Sequence, residues 1–528
     1  MRAAALRSFR WDAPHLAAAL IAVAAVTIRL SSGPHPVDDA FITFRYAANL
    51  STGRGLVYNS GDNVLGTSTP LYAVLLALVA FISGNRSFPD LAVWINAFAD
   101  GSSVYLVFLL CRLLRLPTWA AISACLLFGL SPLVIRYSIG GMETSILTAV
   151  SLLAVCLFLA GHRRAPFHFA GLAVWLRPDA MALAAALLIA EAWQIRRIPW
   201  RPLLVVAAWI GVEMVLLATA YGDPLPHSVT AKANHVYQVE PETNFFQHVY
   251  LFSGLTLTGV QGFGARGLVV SPAPTLNLIA STGFLLLLGL WAVGIVRLVR
   301  ENPRALVIPV YLGLFTFVYS MLGLGGGLMA EWYLVPLIAY WLIPLMACFA
   351  AMGQSRSSAP ARIVGRSLPI AILVLEVSAL NWGRNPAMPV ALPLNVWSER
   401  EDLYRQAAEF LDGKVAEQDQ VAASEIGALG YACDCRILDT VGLVSPAVQP
   451  YYPLPENQIV GNYAIPTDLI LTLRPEYLVT LEVFIRNTLL QEEAFRSQYR
   501  ELWRAPTSAF GSDSLRIFGR VDIAGSAE

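Results

Sequence analysis

Two carboxylates stand side by side, Asp38 and Asp39, in the run Pro36-Val37-Asp38-Asp39-Ala40-Phe41-Ile42-Thr43-Phe44-Arg45-Tyr46-Ala47-Ala48-Asn49-Leu50. They follow an apolar run at 14–31 that is long enough to cross a bilayer. A carboxylate held at a membrane boundary can take a proton from a hydroxyl nucleophile. An Asp at a helix start is also a common cap, favoured by the helix dipole, and this plainer reading stands beside the chemical one. Helical spacing puts Phe41, Phe44 and Ala48 on one face and Arg45 on the more polar side. That predicts an amphipathic helix lying on the membrane surface with its acids at the start. The loop runs on through Gly53, Gly55, Tyr58-Asn59, Gly61 and Gly66 to Thr67-Ser68-Thr69-Pro70. Its glycines mark tight turns, because no strand precedes them and no lysine follows at phosphate-loop spacing.

An anionic partner would need cations on the same side. Lys232, one of only two lysines against 34 arginines, lies in a loop after Pro226-His227-Ser228. Arg45 lies beside the acids, where an ion pair with Asp38 or Asp39 is the competing account. Arg177 shares a turn with Asp179, and those two can simply pair. Glu143 follows Gly140-Gly141-Met142 at a helix start, where capping and hydroxyl binding both suit a carboxylate. His227 is a lone loop histidine, a type that is usually neither base nor ligand. Trp332 and Tyr333 open an apolar run, where an interfacial aromatic belt is the plainer reading. Cys433-x-Cys435 is not a metal-site spacing and reads as structural or incidental, a bridge so short requiring strain. No metal ligands are assigned; a divalent cation, Mg or Mn, is the one cofactor left open, since two carboxylates do not establish a site.

The elements that must position these residues are mostly hydrophobic. The 528 residues are 56% hydrophobic and 14% charged, with mean hydropathy +0.58. A soluble globular chain carries about 25% charged residues. A single soluble enzyme, a disordered chain and a nucleic-acid binder with a basic face are therefore excluded. Eleven spans are predicted, near 14–31, 91–111, 118–137, 142–160, 167–176, 179–195, 202–221, 276–297, 304–323, 331–352 and 363–380. Arginine clusters fix their sense. Arg2, Arg7 and Arg10; Arg112 and Arg115; Arg163 and Arg164; Arg196, Arg197 and Arg201; Arg297, Arg300 and Arg304; and Arg356, Arg362 and Arg366 all fall on one side if 69–83 is re-entrant or interfacial. The N-terminus is then cytoplasmic and the first span an uncleaved anchor. Asp100, Glu213 and Glu376, inside spans, are read as structural polar contacts. Net charge is zero, but residues 395–528 hold 20 acids against 11 bases, and residues 1–394 hold 16 acids against 25 bases. The expected organisation is a membrane domain, 1–394, with first outer loop 32–68, and a small extracytoplasmic α/β domain, 395–528. In that domain Tyr404–Leu411 and Thr467–Leu473 read as helices. Gln420–Ser424, Arg436–Val441 and Glu476–Leu481 read as strands, Ile426–Tyr431 as turns, and Ser514–Val521 as an edge strand.

The first loop, with Asp-Asp-Ala-Phe-Ile, Arg-Tyr-Ala, Asn-Leu, Gly-x-Gly, Tyr-Asn and Thr-Ser-x-Pro-Leu, resembles that of GT-C glycosyltransferases, notably the mycobacterial terminal arabinofuranosyltransferase family. Gly141-Met142-Glu143-Thr144, Arg177-Pro178-Asp179, Tyr221–Pro226 with Lys232, Glu331-Trp332-Tyr333 and Leu438–Leu443 extend the likeness over most of the chain. The resemblance implies a multi-pass protein of a bacterial cytoplasmic membrane. It implies inverting transfer of a sugar, arabinofuranose among the candidates, from a polyprenyl-phosphate donor to a cell-envelope glycan or lipid acceptor on the outer face. It implies Asp38 or Asp39 as general base. Lys232, Arg45 and Arg177 are the donor-phosphate candidates, and Glu143, Asp179, His227, Trp332 and Tyr333 the substrate-binding candidates. His227 stands where related sequences often carry asparagine.

A transporter or flippase of a lipid-linked or envelope substrate is the alternative. It would favour charges at the bilayer midplane and paired broken helices, whereas here the notable charges gather at one face. A membrane-anchored binding module is a third reading, against which the elaborate first loop argues. The orientation is tested by thiol labelling in intact cells: a cysteine at Ser60 is expected to react with an impermeant reagent from outside and one at Ser357 is not. The reverse pattern would sink the topology.

Overall fold

The computed structural model describes residues 12–233, 274–321, 331–355, 357–379, 396–460 and 463–524. Arg2, Arg7, Arg10, Arg356, most of the predicted loop 222–275 and the turn 322–330 lie outside the described residues.

Helix α1 (Ala13–Ser32) is capped by the Asp12 carboxylate, which accepts from the His15 amide at 3.2 Å. The first loop holds α2 (Asp38–Ser51) and α3 (Pro70–Ser83). Then come α4 (Phe88–Leu113), α5 (Thr118–Gly129), α6 (Pro132–Ile139), α7 (Thr144–Leu159), α8 (Ala165–Leu176), α9 (Met181–Ile195), α10 (Trp200–Tyr221) and the short α11 (His227–Ala233). The membrane part closes with α12 (Pro274–Glu301), α13 (Val307–Met321), α14 (Val335–Gly353) and α15 (Ala359–Ala379). A helix therefore lies at each of the eleven predicted spans. Among the described residues six helices are long and apolar enough to cross a membrane, or seven counting α5 and α6 as one span bent by 46°. That bend falls at Ser131-Pro132, where proline removes an amide and clashes with the preceding turn. Helices α3, α7 and α8 are apolar but shorter.

Some polar groups inside the bundle are paired, whereas Glu376 Oε2 is buried without a hydrogen-bond partner. Arg29 of α1 and Asp100 of α4 are fully buried and meet at 2.7 Å. The same guanidinium donates to the carbonyls of Ala25 at 3.1 Å and Gly129 at 2.9 Å. Asn96, one turn before Asp100, donates to the carbonyls of Ser138 and Met142 at 3.0 and 2.8 Å. It thereby ties α4 to the turn that carries Glu143.

The C-terminal unit is α/β. Helix α16 (Val396–Leu411) precedes β1 (Gln420–Ala423), α17 (Gly427–Ala432), β2 (Arg436–Asp439), α18 (Thr467–Leu473), β3 (Tyr477–Leu481), α19 (Glu493–Gln498), β4 (Tyr499–Pro506) and β5 (Ser514–Arg520). The sheet order is β2-β1-β3-β5-β4, with β1 parallel to β2 and β3, and β5 antiparallel to β3 and β4. Two expectations are corrected. Residues 427–432 form a helix, not turns: their glycines permit close packing and do not break the chain. The edge strands are β2 and β4, and the predicted edge Ser514–Val521 supplies β5, buried between β3 and β4.

A third correction concerns α2. It does not lie on a surface but is buried nearly all round. Val37, Ala40, Phe44 and Ala47, spaced as one helix face, join the membrane core. Ile42 and Tyr46 join the core of the C-terminal domain, together with Tyr58 and Leu65 of the first loop. Arg45 lies in this second contact, because the polar side of α2 meets protein and not water.

The Arg29–Asp100 pair yields a stability prediction. Removing one member strands a buried charge, which costs about 3–5 kcal/mol, whereas an apolar pair of similar volume is often neutral. Asp100→Leu is expected to lower the thermal midpoint in detergent, and Arg29→Met/Asp100→Leu to recover most of it. Equal losses in both variants would contradict a pairing role.

Candidate active site

The two adjacent aspartates part company in the structure. Asp38 is buried, and its carboxylate accepts from the amides of Gly427 at 3.1 Å and Ala428 at 2.9 Å. It is occupied by the C-terminal domain. Burial raises its pKa, and the nearby Arg400 charge opposes that rise. Asp39, about 100° round the helix, is half-buried and lines a small cavity open to solvent.

That cavity joins parts distant in sequence. Its walls are Asp39, Ile42 and Thr43 of α2, Gly66–Thr69, Met142 and Glu143, Arg177, Ser228 of α11, Trp332 and Tyr333, and Leu443 of the C-terminal domain. Arg177 ends α8 in extended backbone, and its Nε donates to both oxygens of Asp179 at 2.8 and 2.9 Å. Its Nη1 donates to Glu143 at 3.3 Å, and its guanidinium stacks on Tyr333, 4.9 Å from the ring centre. Its Nη2 is buried without a hydrogen-bond partner. A buried, unused donor on an arginine in a cavity wall suits an anionic oxygen. Tyr319 donates to Asp179 at 2.8 Å and fixes the turn from the other side.

The other predicted site residues fall into three groups. Trp332 and Tyr333 line the cavity; Tyr137 supports Trp332 with ring centres 5.8 Å apart, and Tyr319 supports Tyr333 at 5.2 Å. His227 starts α11 just behind the wall, its amide donating to the Leu65 carbonyl at 2.8 Å, while its neighbour Ser228 is the lining residue. Asp179 lies behind Arg177. Lys232 is on α11, with its side chain outside the described residues. Arg45, expected at the donor phosphate, is instead committed to the C-terminal domain. Its guanidinium donates to the carbonyls of Tyr58 at 2.8 Å, Cys435 at 2.6 Å, Cys433 at 3.4 Å and Gly430, and stacks on Tyr58. Cys433 and Cys435 are disulfide-bonded, so this cystine turn has a structural role in presenting carbonyls to Arg45.

Several lining residues escaped the sequence reading. Thr43, Thr67 and Thr69 form a ring of hydroxyls, with oxygens 3.0–3.3 Å apart. Thr67-Ser68-Thr69 was visible as the end of the loop and part of its motif, not as a hydroxyl ring. Leu443 reaches the cavity because buried Asp439 accepts from the amides of Val441 at 2.9 Å and Val444 at 3.0 Å, curling the loop between them. The loop packs so closely on Gly66 that a Cβ there would collide with Leu443 and Val444. Among the described residues no group of three or more His, Cys, Asp or Glu is placed to hold a metal ion. The carboxylates lining the cavity are Asp39 and Glu143, and Glu143 is already bound to Arg177.

Comparisons with known proteins place the fold. A family model described as a domain of unknown function, DUF8728, matches residues 395–519. No curated protein matches the chain by sequence. Among solved structures, ArnT from Cupriavidus metallidurans bound to undecaprenyl phosphate aligns over 96% of this chain and 98% of its own, at 12% identity and TM-score 0.55. The Archaeoglobus fulgidus oligosaccharyltransferase AglB, in complex with an inhibitory peptide and a dolichol-phosphate, aligns over 97% of this chain and 75% of its own, at 12% identity and TM-score 0.50. The chain thus has the GT-C fold.

The contact between the two domains carries an acidic cluster with a pH signature. Arg400 binds Glu401 at 2.9 Å and Glu425 at 3.1 Å, close to Asp38. Burial pushes Glu401 up to about 7 and Glu425 up to about 8, above the ordinary carboxyl value near 4.5. A carboxyl that holds its proton more tightly when folded stabilises the fold fully below its unfolded pKa and loses that contribution as pH rises through the folded value. The thermal midpoint of the purified protein is therefore expected to fall between pH 6 and pH 9, and Glu425→Gln to flatten that fall. A midpoint that rises over this range would contradict the cluster.

Proposed function

We propose that the chain is an integral-membrane glycosyltransferase. It moves a sugar from a polyprenyl-phosphate donor to a hydroxyl of a cell-envelope glycan or lipid, on the outer face of a bacterial cytoplasmic membrane and with inversion. Arabinofuranose is the sugar suggested by the first-loop resemblance. The observation that carries the reading is one cavity holding both halves of the chemistry: the Asp39 carboxylate, and Arg177 with an unused donor. The GT-C fold supports it, as does the undecaprenyl phosphate of the ArnT structure. The disulfide at Cys433–Cys435 suits an oxidising, extracytoplasmic location.

The reaction follows from the parts. The acceptor hydroxyl approaches the anomeric carbon from the side away from the phosphate. Asp39 takes its proton as the new C–O bond forms. The anomeric C–O bond to phosphate breaks and its electron pair leaves on the polyprenyl phosphate. Arg177 stabilises that charge through its unused Nη2, in a site where low dielectric strengthens the interaction. Lys232 is a second phosphate candidate. Asp179 and Glu143 hold Arg177 in place, and Glu143, the threonine ring and Ser228 offer polar contacts to sugar hydroxyls. Trp332 and Tyr333 give a flat apolar wall for a sugar face or the prenyl start.

Asp39→Asn is expected to lower kcat roughly 10²–10⁴-fold, the usual worth of a general base, with donor KM little changed. Arg177→Lys keeps a charge for Glu143 and Asp179 but loses the fork. Losing one hydrogen bond to a charged group, about 1.5–3 kcal/mol, should weaken donor binding about tenfold or more. Steady-state kinetics with polyprenyl-phosphate-sugar donors check both. Wild-type turnover in Asp39→Asn would remove the base assignment.

A further inference from the structure

The contacts that tie α2 to the C-terminal domain are those that fix its rotation. Asp38 and Arg45 are seven residues apart, two helical turns, and therefore share a face. Asp38 accepts from the amides of the first two residues of α17, and Arg45 donates to carbonyls near and just beyond that helix's end. Both side chains are buried, at 5% and 9% exposure. There is no slack between the elements: a Cβ on Gly427 would run into the Asp38 carbonyl, and one on Gly430 into the Tyr58 hydroxyl. Asp39 and Thr43, one turn apart, share the neighbouring face and point at the cavity.

From this geometry we infer that the C-terminal domain is a positioning element of the active site, in which Asp38 and Arg45 are held by the domain to set the roll of α2 and so the aim of Asp39. The inference rests on Asp39 being the general base. A side-chain carboxylate sits about 6 Å from a helix axis, so a roll of about 10° displaces it by about 1 Å. A misplacement of that size can reduce a rate on the order of 100-fold. Asp38 then does no chemistry; it acts through Asp39.

The test uses the full-length purified protein with a panel of polyprenyl-phosphate sugars, arabinofuranose included, and an octyl glycoside acceptor. Asp38→Asn keeps an oxygen for the Ala428 amide but turns an NH₂ toward the Gly427 amide, and Asn cannot act as a base. We expect Asp38→Asn to lower kcat about 10–100-fold with donor KM unchanged. Gly427→Ala, which touches no reacting group, should show the same split. Arg45→Lys, which cannot reach all the carbonyls, should do likewise. Hydrogen exchange at the Gly427 and Ala428 amides should quicken in Asp38→Asn while the thermal midpoint stays near the wild-type value. Wild-type kcat in Asp38→Asn and Gly427→Ala would overturn the positioning role while leaving the functional reading intact. Loss in Asp38→Asn as deep as in Asp39→Asn, with Gly427→Ala unaffected, would also overturn it, making Asp38 the chemical group. A donor-KM effect with kcat preserved would overturn it as well. Full activity in Asp39→Asn, or no turnover of any donor by the wild type, would sink the functional reading and this inference with it.

Discussion

The arrangement depends on how one buried guanidinium is satisfied. Arg45 sits in the middle of a helix where an amphipathic reading places it in water. Burying such a charge is costly unless its donors are met. Here they are met by main-chain carbonyls that converge from the first loop and the C-terminal domain. Carbonyls belong to the backbone, so they hold only when both segments keep their local shape. The cystine turn and the short helix before it provide that shape on one side, and the Tyr58-Asn59 turn on the other. Asn59 strengthens the join by pairing its amide with both main-chain groups of Ile437, the way a neighbouring strand would.

Around this joint each polar group in the membrane part acts locally. Arg29 and Asp100 neutralise one another, Asn96 holds the turn before Glu143, and Tyr319 holds Asp179. These contacts differ from the Arg45 set in one respect: they leave Arg177 with a donor to spare. A wall whose donors and acceptors all matched would have nothing to offer a ligand. Arg29 Nη2 is likewise buried without a hydrogen-bond partner, so what sets Arg177 apart is its place in the cavity wall, while Arg45 has its donors met at the joint.

Legibility in the sequence follows the range of the interaction. Helices in the membrane part were readable because an apolar run is local, though only six or seven of the eleven expected spans are long and apolar enough to cross among the described residues, and Gln420–Ala423 and Thr467–Leu473 were readable too. The Asp38-Asp39 pair could be found but not divided, since the division depends on amides 389 and 390 residues away. Arg45 was misplaced for the same reason: periodicity shows which face is polar and not what that face meets. The helix Gly427–Ala432 read as a turn because glycine breaks helices on average, whereas here it admits the α2 backbone. Strand β4 went unseen because Arg500, Glu501 and Arg504 give an edge strand the look of a loop. The threonine ring joins residues on either side of a glycine-rich loop, a proximity no spacing announces.

The joint also imposes an order on how the molecule is made. Helix α2 leaves the ribosome before the C-terminal domain, and the carbonyl of Cys435 that meets Arg45 follows 390 residues after that arginine. At roughly 5–20 residues per second, that gap is tens of seconds or more. During this interval α2 has its membrane-facing partners but not those of its other side, and Arg45 must stay hydrated. The cavity wall remains open where Leu443 will close it. Until then the inserted helices are a scaffold without a finished cavity, and the later-emerging C-terminal domain is the one that completes it.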